Sequence, residues 1–491
     1  MVVVTELSVE RTPIPGLLVV HMPVQRDDRG WFKENWQREK MVALGLPDFG
    51  PVQNNMSFNA TRGATRGIHT EPWDKFVSVA VGRVFAAWVD MREGPTFGAT
   101  YWTEIDEDTA VFVPRGVGNS YQSLVDGTVY SYLVNDHYVE GRTYPALHLA
   151  DPTVAIPWPI PLDSPDVEIS EKDHENPLLD EVEPMSAKKV LITGANGQLG
   201  RELARAFPDA DLVDVDELDL TDPAALAAWP WRDYRLILNA AAYTAVDAAE
   251  TPEGRPLAWA VNAHAPAALA RIATEHHLTL VHYSTDYVYD GDPTHATDAG
   301  HTEDEPLAPL GVYAQTKAAG DIAVTTTPRH YILRTSWVVG DGHNFVRTMA
   351  RLAHDGIDPV VVADQIGRLT FTDELARATH HLTTTDAPHG TYHLTNTGTP
   401  RSWADYARAV FTHLGHDPER ITDTTTADYS AARPSTSPVA PRPLHSTLNL
   451  DKITATGYTG TDADTALATY LADLDSDVDT DVDHRPQPVD V

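Results

Sequence analysis

Apolar positions along this chain follow two rhythms, and the change between them falls near residue 188. Up to about residue 160 the apolar residues come in short runs, such as 76–81, 84–90, 110–113 and 129–134, cut by Gly, Pro and Asp turns. That spacing predicts an antiparallel sandwich or barrel. From 188 onward, apolar strands at 188–193, 235–239, 279–284 and 331–334 alternate with helical stretches. One such stretch, 198–207, sets Leu199, Leu203, Ala204 and Phe207 at helical spacing, and an alanine-rich one runs over about 258–276. Buried strands separated by helices predict a doubly wound parallel sheet covered on both faces. Residues 174–187, polar and acidic with Pro177 and Pro184, read as a linker. The Asp/Val/Pro-rich stretch 475–491 reads as a disordered acidic tail. The expected organisation is a β domain over 1–183 running into a linker up to 187, an α/β domain over 188–474, and the tail.

Composition narrows the function. The net charge of −35 argues against a nucleic-acid partner, because binding a polyanion requires clustered cations. A single diphosphate needs only a few local cations and helix N-termini, so a nucleotide ligand stays open. No run of eighteen apolar residues occurs, and the N-terminus lacks a basic region followed by a long apolar core, so neither membrane insertion nor secretion is expected. The absence of cysteine excludes disulfide and thiol chemistry and agrees with an expected cytoplasmic location.

The strand at 188–193 runs into Gly194, Gly197 and Gly200 and then into a helix. Such a turn aims backbone N–H groups and the positive helix end at a pyrophosphate. About twenty residues further on, Asp214 and Asp216 stand where an acid can hold the adenosine ribose, which favours NADH over NADPH. Tyr313 and Lys317 share one helix face at i, i+4, where a nearby ammonium is expected to lower the phenol's pKa and make Tyr313 a proton donor to a ketone receiving hydride. Thr285, at the carboxyl end of a strand, is placed to hydrogen-bond the same carbonyl oxygen.

These segments are ordered as in a known family. The stretches 194–200, 239–250, 284–291 (Ser-Thr-Asp-Tyr-Val-Tyr-Asp-Gly), 313–317 (Tyr-Ala-Gln-Thr-Lys), 334–340, 344–349 and 364–367 together resemble dTDP-4-dehydrorhamnose reductase, an extended short-chain dehydrogenase/reductase. The resemblance implies a Rossmann-type domain with Thr285, Tyr313 and Lys317 as catalytic triad. It also implies a sugar site at Asp286, Tyr287 and Trp337, and NADH or NADPH held by Gly194, Asn196, Gly197, Gln198, Leu199, Gly200, Asp214, Asp216 and Ala240, Ala241 and Ala242, with Tyr313 and Lys317. Leu369 stands where the family commonly has proline, which puts that loop's substrate contact in question.

In the first domain, Arg66 and His69 lie three residues apart before a β-rich run, and a histidine titrating near neutrality suits removal of a proton beside a ketone. With 27–34, 53–55, Lys75, 113–117, 130–138, 156–159 and 170–173, the segment resembles dTDP-4-dehydrorhamnose 3,5-epimerase, a cupin-like jelly roll that dimerises. By that resemblance His69 is the base and Asp173 its supporting acid, Tyr132 the opposing acid and Lys75 the stabiliser of the enolate oxygen. Arg29, Glu34, Gln53, Asn55, Arg66, Asn119 and Tyr138 are implied to bind the substrate, Arg29 and Glu34 from a neighbouring subunit of a homodimer. Asn119 replaces a histidine usual in the family.

The two resemblances concern consecutive steps on one sugar nucleotide. They imply 3,5-epimerisation of dTDP-4-dehydro-6-deoxy-D-glucose to dTDP-4-dehydrorhamnose, followed by reduction of the C4′ ketone. A related epimerase and reductase giving another 6-deoxyhexose, or an NAD-binding regulatory protein without turnover, are the alternatives. A divalent metal is possible but not indicated, since the HisXxxHis spacing of cupin metal sites is missing around His69.

Overall fold

Strands form where the apolar runs fall, and glycines and prolines end them. The computed structural model describes residues 6–478 apart from 139, 142, 295–299, 386 and 434–437. It divides into two units, Met1–Ala187 and Lys188–Val491.

The first unit is a sandwich of two antiparallel sheets. One has six strands in the order Ser8–Arg11, Leu18–His21, Thr109–Val113, Lys75–Val81, Thr128–Val134 and Gln53–Asn59. The other has five, in the order Ala146–Leu147, Thr65–His69, Val117–Ser123, Val84–Asp90 and Thr100–Ile105. Alternation sends Val77, Val79, Ala86, Trp88 and Val111 into a shared core, the burial that holds a jelly roll together. Residues 174–187 are not a free linker. Leu179 is buried and its N–H donates to Asp151 Oδ2 at 2.7 Å, while Met185 bridges to Arg92, so the segment packs on the first unit.

The second unit is the doubly wound α/β fold. Its six parallel strands run Asp211–Val213, Lys189–Thr193, Tyr234–Asn239, Thr279–Thr285, His330–Thr335 and Gly390–His393. The chain steps from Lys189–Thr193 to Asp211–Val213 on one side and then crosses back to Tyr234–Asn239 on the other, so the switch-point crevice opens between Lys189–Thr193 and Tyr234–Asn239. Helices Gln198–Ala206 and Thr372–Thr384 cover one face, and Pro223–Ala228 and Ala265–Glu275 the other. The alanine-rich stretch is one helical rod with a π-helical turn at Ala260–His264. A further lobe packs helices Phe345–His354, Trp403–His413 and Ala463–Val478 around Val346, Phe371, Tyr406 and Phe411. The last of these helices continues four residues into the stretch expected to be disordered, and 479–491 lie outside the described residues. No helix among the described residues is long and apolar enough to cross a membrane.

Candidate active sites

In the first unit a cavity of about 610 Å³ is lined by Arg66, His69, Lys75, Asn119, Tyr132 and Asp173, six of the residues singled out from sequence. The strand Thr65–His69 delivers Arg66 and His69, and Asn119 lies beside His69 in register on the neighbouring strand. Asp173 sits in the short helix Glu171–His174, whose N-cap Ser170 accepts from the Asp173 N–H. Its carboxylate accepts from His69 Nε2 at 3.0 Å and from the Gly67 N–H at 3.1 Å. Burial alone would raise this carboxyl's pKa, but the hydrogen bonds from His69, Ser170 and Gly67 prevail and hold it at about 2. Asp173 therefore stays ionised and fixes the imidazole with Nε2 toward it, leaving Nδ1 as the basic nitrogen. Gly67 permits this approach, since a Cβ there would lie 2.3 Å from Asp173 Oδ1.

Tyr132 reaches the cavity from the strand Thr128–Val134, and its phenol is pushed above the ordinary range by burial and then by the Glu71 carboxylate. Lys75 is 4 % exposed and ion-paired with Glu71. Asn119, in the place of the expected histidine, accepts from the buried Tyr130 hydroxyl at 3.0 Å, and Tyr130 stacks on Tyr121. Five expected substrate ligands are not brought to the cavity within this chain. Gln53 and Asn55 share the strand face of cavity-lining Ser57 but continue away from it, with Gln53 donating to Asn55 Oδ1 at 2.8 Å. Tyr138 is exposed against Tyr144, Arg29 is paired with Asp27 in the exposed hairpin Gln25–Asp27 and Gly30–Phe32, and Glu34 with Lys40.

The second unit holds a crevice of about 330 Å³ at its switch point, lined by Gly194, Gly197, Asp214, Ala240, Ala241 and Ala242 together with Thr193 and Asp219. Gly194 has φ +68°, and a Cβ on it would strike Ala241 N at 2.6 Å, while a Cβ on Gly200 would lie 2.2 Å from Gly194 O. Both glycines are thus demanded by close backbone approach. The remaining expected cofactor residues lie outside the lining. The Asn196 N–H donates to Asp214 Oδ2 at 2.9 Å, Gln198 Nε2 to His343 O at 3.1 Å, and Leu199 packs against the core. Asp216 is exposed and does not face the crevice.

A second pocket, about 370 Å³, is lined by Tyr287, Asn344, Gln365, Trp403, Arg433 and Arg442 among others. Tyr287 meets Tyr313 edge to face at 6.0 Å. Asp247 joins Arg433 at 2.7 Å and Arg442 at 2.9 Å. Asn344 both caps the helix Phe345–His354 and lines this pocket. Trp337 does not line it. It stands behind Trp403, stacked at 3.7 Å, in a left-handed backbone conformation at φ +45° that this packing sustains. Leu369 is buried in the helical lobe, so the departure from proline falls away from the pocket. Glu71, Asp247, Trp403, Arg433 and Arg442 were missed from sequence. Asp247 and Arg433 lie 186 residues apart, and no local pattern announces such a pair.

Thr285, Asp286, Tyr313 and Lys317 are in the lining of neither the crevice nor the pocket, which they approach through Tyr287; the Thr285 hydroxyl donates to Asp286 Oδ1 at 3.0 Å and accepts from the Tyr287 N–H at 3.2 Å. Asp286 is 2 % exposed with Oδ2 unpartnered, and burial, opposed by Ser446 and Thr285, lifts its carboxyl to about 6. The expected depression of the Tyr313 phenol by Lys317 is overturned: burial and then the Asp286 and Tyr287 side chains push it up. Lys317 is buried instead with Nζ donating to Tyr283 O at 2.6 Å, and desolvation, opposed by Asp321, lowers it to about 8.

Comparison with known proteins places both units. Residues 11–181 match the family profile of dTDP-4-dehydrorhamnose 3,5-epimerase, and 188–476 that of the RmlD substrate binding domain. An RmlC homolog of Streptococcus pyogenes is 47 % identical over 36 % of this chain and 90 % of its own length. A probable dTDP-4,6-dihydroxy-2-methyloxan-3-one 4-ketoreductase of Streptomyces antibioticus is 42 % identical over 54 % of this chain and 88 % of its own. The crystal structure of dTDP-4-dehydrorhamnose reductase from Bacillus anthracis in complex with NADP is 30 % identical, covers 58 % of this chain and 99 % of its own, and superposes with a TM-score of 0.52. The chain joins an epimerase domain to a reductase domain, belonging over its first unit to the dTDP-4-dehydrorhamnose 3,5-epimerase family and over its second to the RmlD reductase family.

Proposed function

We propose that this chain converts dTDP-4-dehydro-6-deoxy-D-glucose to dTDP-L-rhamnose in two steps, one per unit. The observation that carries the first step is the His69–Asp173 pair at 3.0 Å in a cavity walled by Lys75 and Tyr132. The C4′ ketone acidifies C3′ and C5′; His69 removes a proton, Lys75 stabilises the enolate oxygen, and Tyr132 returns a proton on the opposite face. Arg66 answers the substrate's diphosphate.

For the second step, a bound nicotinamide cofactor supplies hydride to C4′. The chain's own part is to hold the ketone between Thr285 and Tyr313 and to deliver the Tyr313 hydroxyl proton to the resulting alkoxide, with Lys317 behind it. An elevated phenol suits this role, because Tyr313 stays protonated until the alkoxide forms. Trp403 and Tyr287 offer apolar walls to the sugar nucleotide, and Arg433 and Arg442 offer cations to its diphosphate. The crevice fits the dinucleotide through its glycine turn, and its lining carries Asp214 and Asp219 with no lysine or arginine. Carboxylates accept the ribose hydroxyls of NADH and repel a 2′-phosphate, which supports NADH preference. Exposed Trp31, Phe32, Met56 and Phe58 on the hairpin and edge strand support a homodimer through the first unit.

The test supplies the ketosugar nucleotide with NADH and follows its absorbance. Tyr313→Phe abolishes oxidation; His69→Ala also does so, until a separate epimerase is added. Failure of that rescue sinks the division of labour. The likeness to the Streptomyces ketoreductase favours a second reading in which the reduced product is another 6-deoxyhexose, and product NMR separates the two.

A further inference from the structure

At His69 the chain leaves one sheet, and at Lys75 it enters the other, with Glu71 in the turn between them. The turn between them is anchored by Trp73, 7 % exposed and edge-on to Tyr144 at 5.1 Å. Glu71 and Lys75 clasp this turn, their side chains 19 % and 4 % exposed, and both line the cavity. An ammonium so enclosed is costly unless paired. The other charged or titratable groups facing the cavity are Arg66 and His69 from the adjacent strand, Tyr121, Tyr130 and Tyr132 from two others, and Glu168, Lys172 and Asp173 from the C-terminal segment. Asp173 is committed to His69 and Gly67, whereas Glu71 pairs directly with Lys75.

We infer that Glu71 is a positioning residue of the epimerase cavity: its carboxylate fixes the Lys75 ammonium in the wall shared with Tyr132, where the ketone oxygen gathers negative charge. The inference rests on the epimerase reading. It makes Glu71 act on both partners of the enolate. It balances the cation that stabilises the oxygen, and it helps burial to keep the Tyr132 phenol protonated.

The test uses the full chain and measures deuterium entry from heavy water into C3′ and C5′ of the ketosugar nucleotide by NMR, from pH 6 to 11. Glu71→Gln keeps the size and an acceptor oxygen but removes the charge. A tyrosine without a neighbouring carboxylate ionises more readily, and an ammonium without its partner is no longer held in place. The expected result is a downward displacement of the alkaline limb, read as an about tenfold loss of exchange on that limb above pH 10 and a smaller loss at pH 8. Glu71→Asp, charged but shorter, shows a smaller displacement in the same direction. An alkaline limb unchanged from wild type, whatever the loss in rate, overturns the inference and leaves a structural role only. If circular dichroism shows Glu71→Gln unfolded, the Glu71→Asp limb decides in the same way. Absence of exchange in the wild type refutes the epimerase reading itself, not the place of Glu71 within it.

Discussion

Gly67→Ala is a small perturbation with a large expected effect on one half of the enzyme. The added Cβ would lie 2.3 Å from Asp173 Oδ1 and 2.5 Å from its Cγ, where real Cβ contacts essentially never fall below 3.0 Å. The carboxylate must therefore retreat by at least about 0.7 Å. A retreat of that size along its bond to His69 stretches 3.0 Å past the limit of a hydrogen bond, and it also loosens the 3.1 Å bond from the Gly67 N–H. A hydrogen bond to a charged group is worth about 1.5–3 kcal/mol, and each ~1.4 kcal/mol is tenfold in rate, so epimerisation should fall roughly 10- to 100-fold. The assay is deuterium wash-in at C3′ and C5′ at pH 7.5, run beside Asp173→Asn and the double variant. Because both changes remove one interaction, the double variant should lose little beyond the worse single one. NADH oxidation on substrate epimerised beforehand should be unaffected. Wild-type wash-in by Gly67→Ala would refute the claim that this contact orients the base.

Other outcomes follow from the second unit. Lys317, lowered by burial to about 8, should give kcat/KM of ketone reduction an alkaline limb near pH 8, measured on pre-epimerised substrate; a flat profile to pH 9.5 contradicts it. The folded-state pKa of Asp286, about 6, lies above its unfolded value of 3.8, so its contribution to stability is full below pH 3.8 and lost as pH rises through 6. Asp286→Asn should accordingly unfold at a higher temperature than wild type at pH 8, by about 3 kcal/mol in stability, with the gap closing toward pH 4; a pH-independent gap is the contrary result. Gly200→Ala, whose Cβ would meet Gly194 O at 2.2 Å, should raise the KM for NADH at least tenfold while leaving deuterium wash-in unchanged; titration of cofactor in the reductase assay checks it.

The sequence by itself determined the elements and the chemistry-bearing local motifs. Period-two runs with turn residues between them can only make a half-buried antiparallel sandwich, and apolar strands spaced by helices a covered parallel sheet. Gly194, Gly197 and Gly200, Tyr313 with Lys317, and Arg66 with His69 are legible because each acts through neighbours within a turn or strand. Tertiary structure decided what lies across space. It set Asp247 against Arg433 and Arg442, put Trp403 in front of Trp337, and folded 174–187 onto the first unit rather than leaving it a linker. It also set the electrostatic states. The i, i+4 spacing of Tyr313 and Lys317 suggested a lowered phenol, but burial and the Asp286 carboxylate, neither visible in spacing, reversed the sign. Glu71 lay in plain view between His69 and Lys75, and an acid there reads as solvated until the crossover between sheets buries the lysine beside it. Spacing along a chain fixes which faces residues share, whereas desolvation and charge at a distance depend on which surfaces close over them.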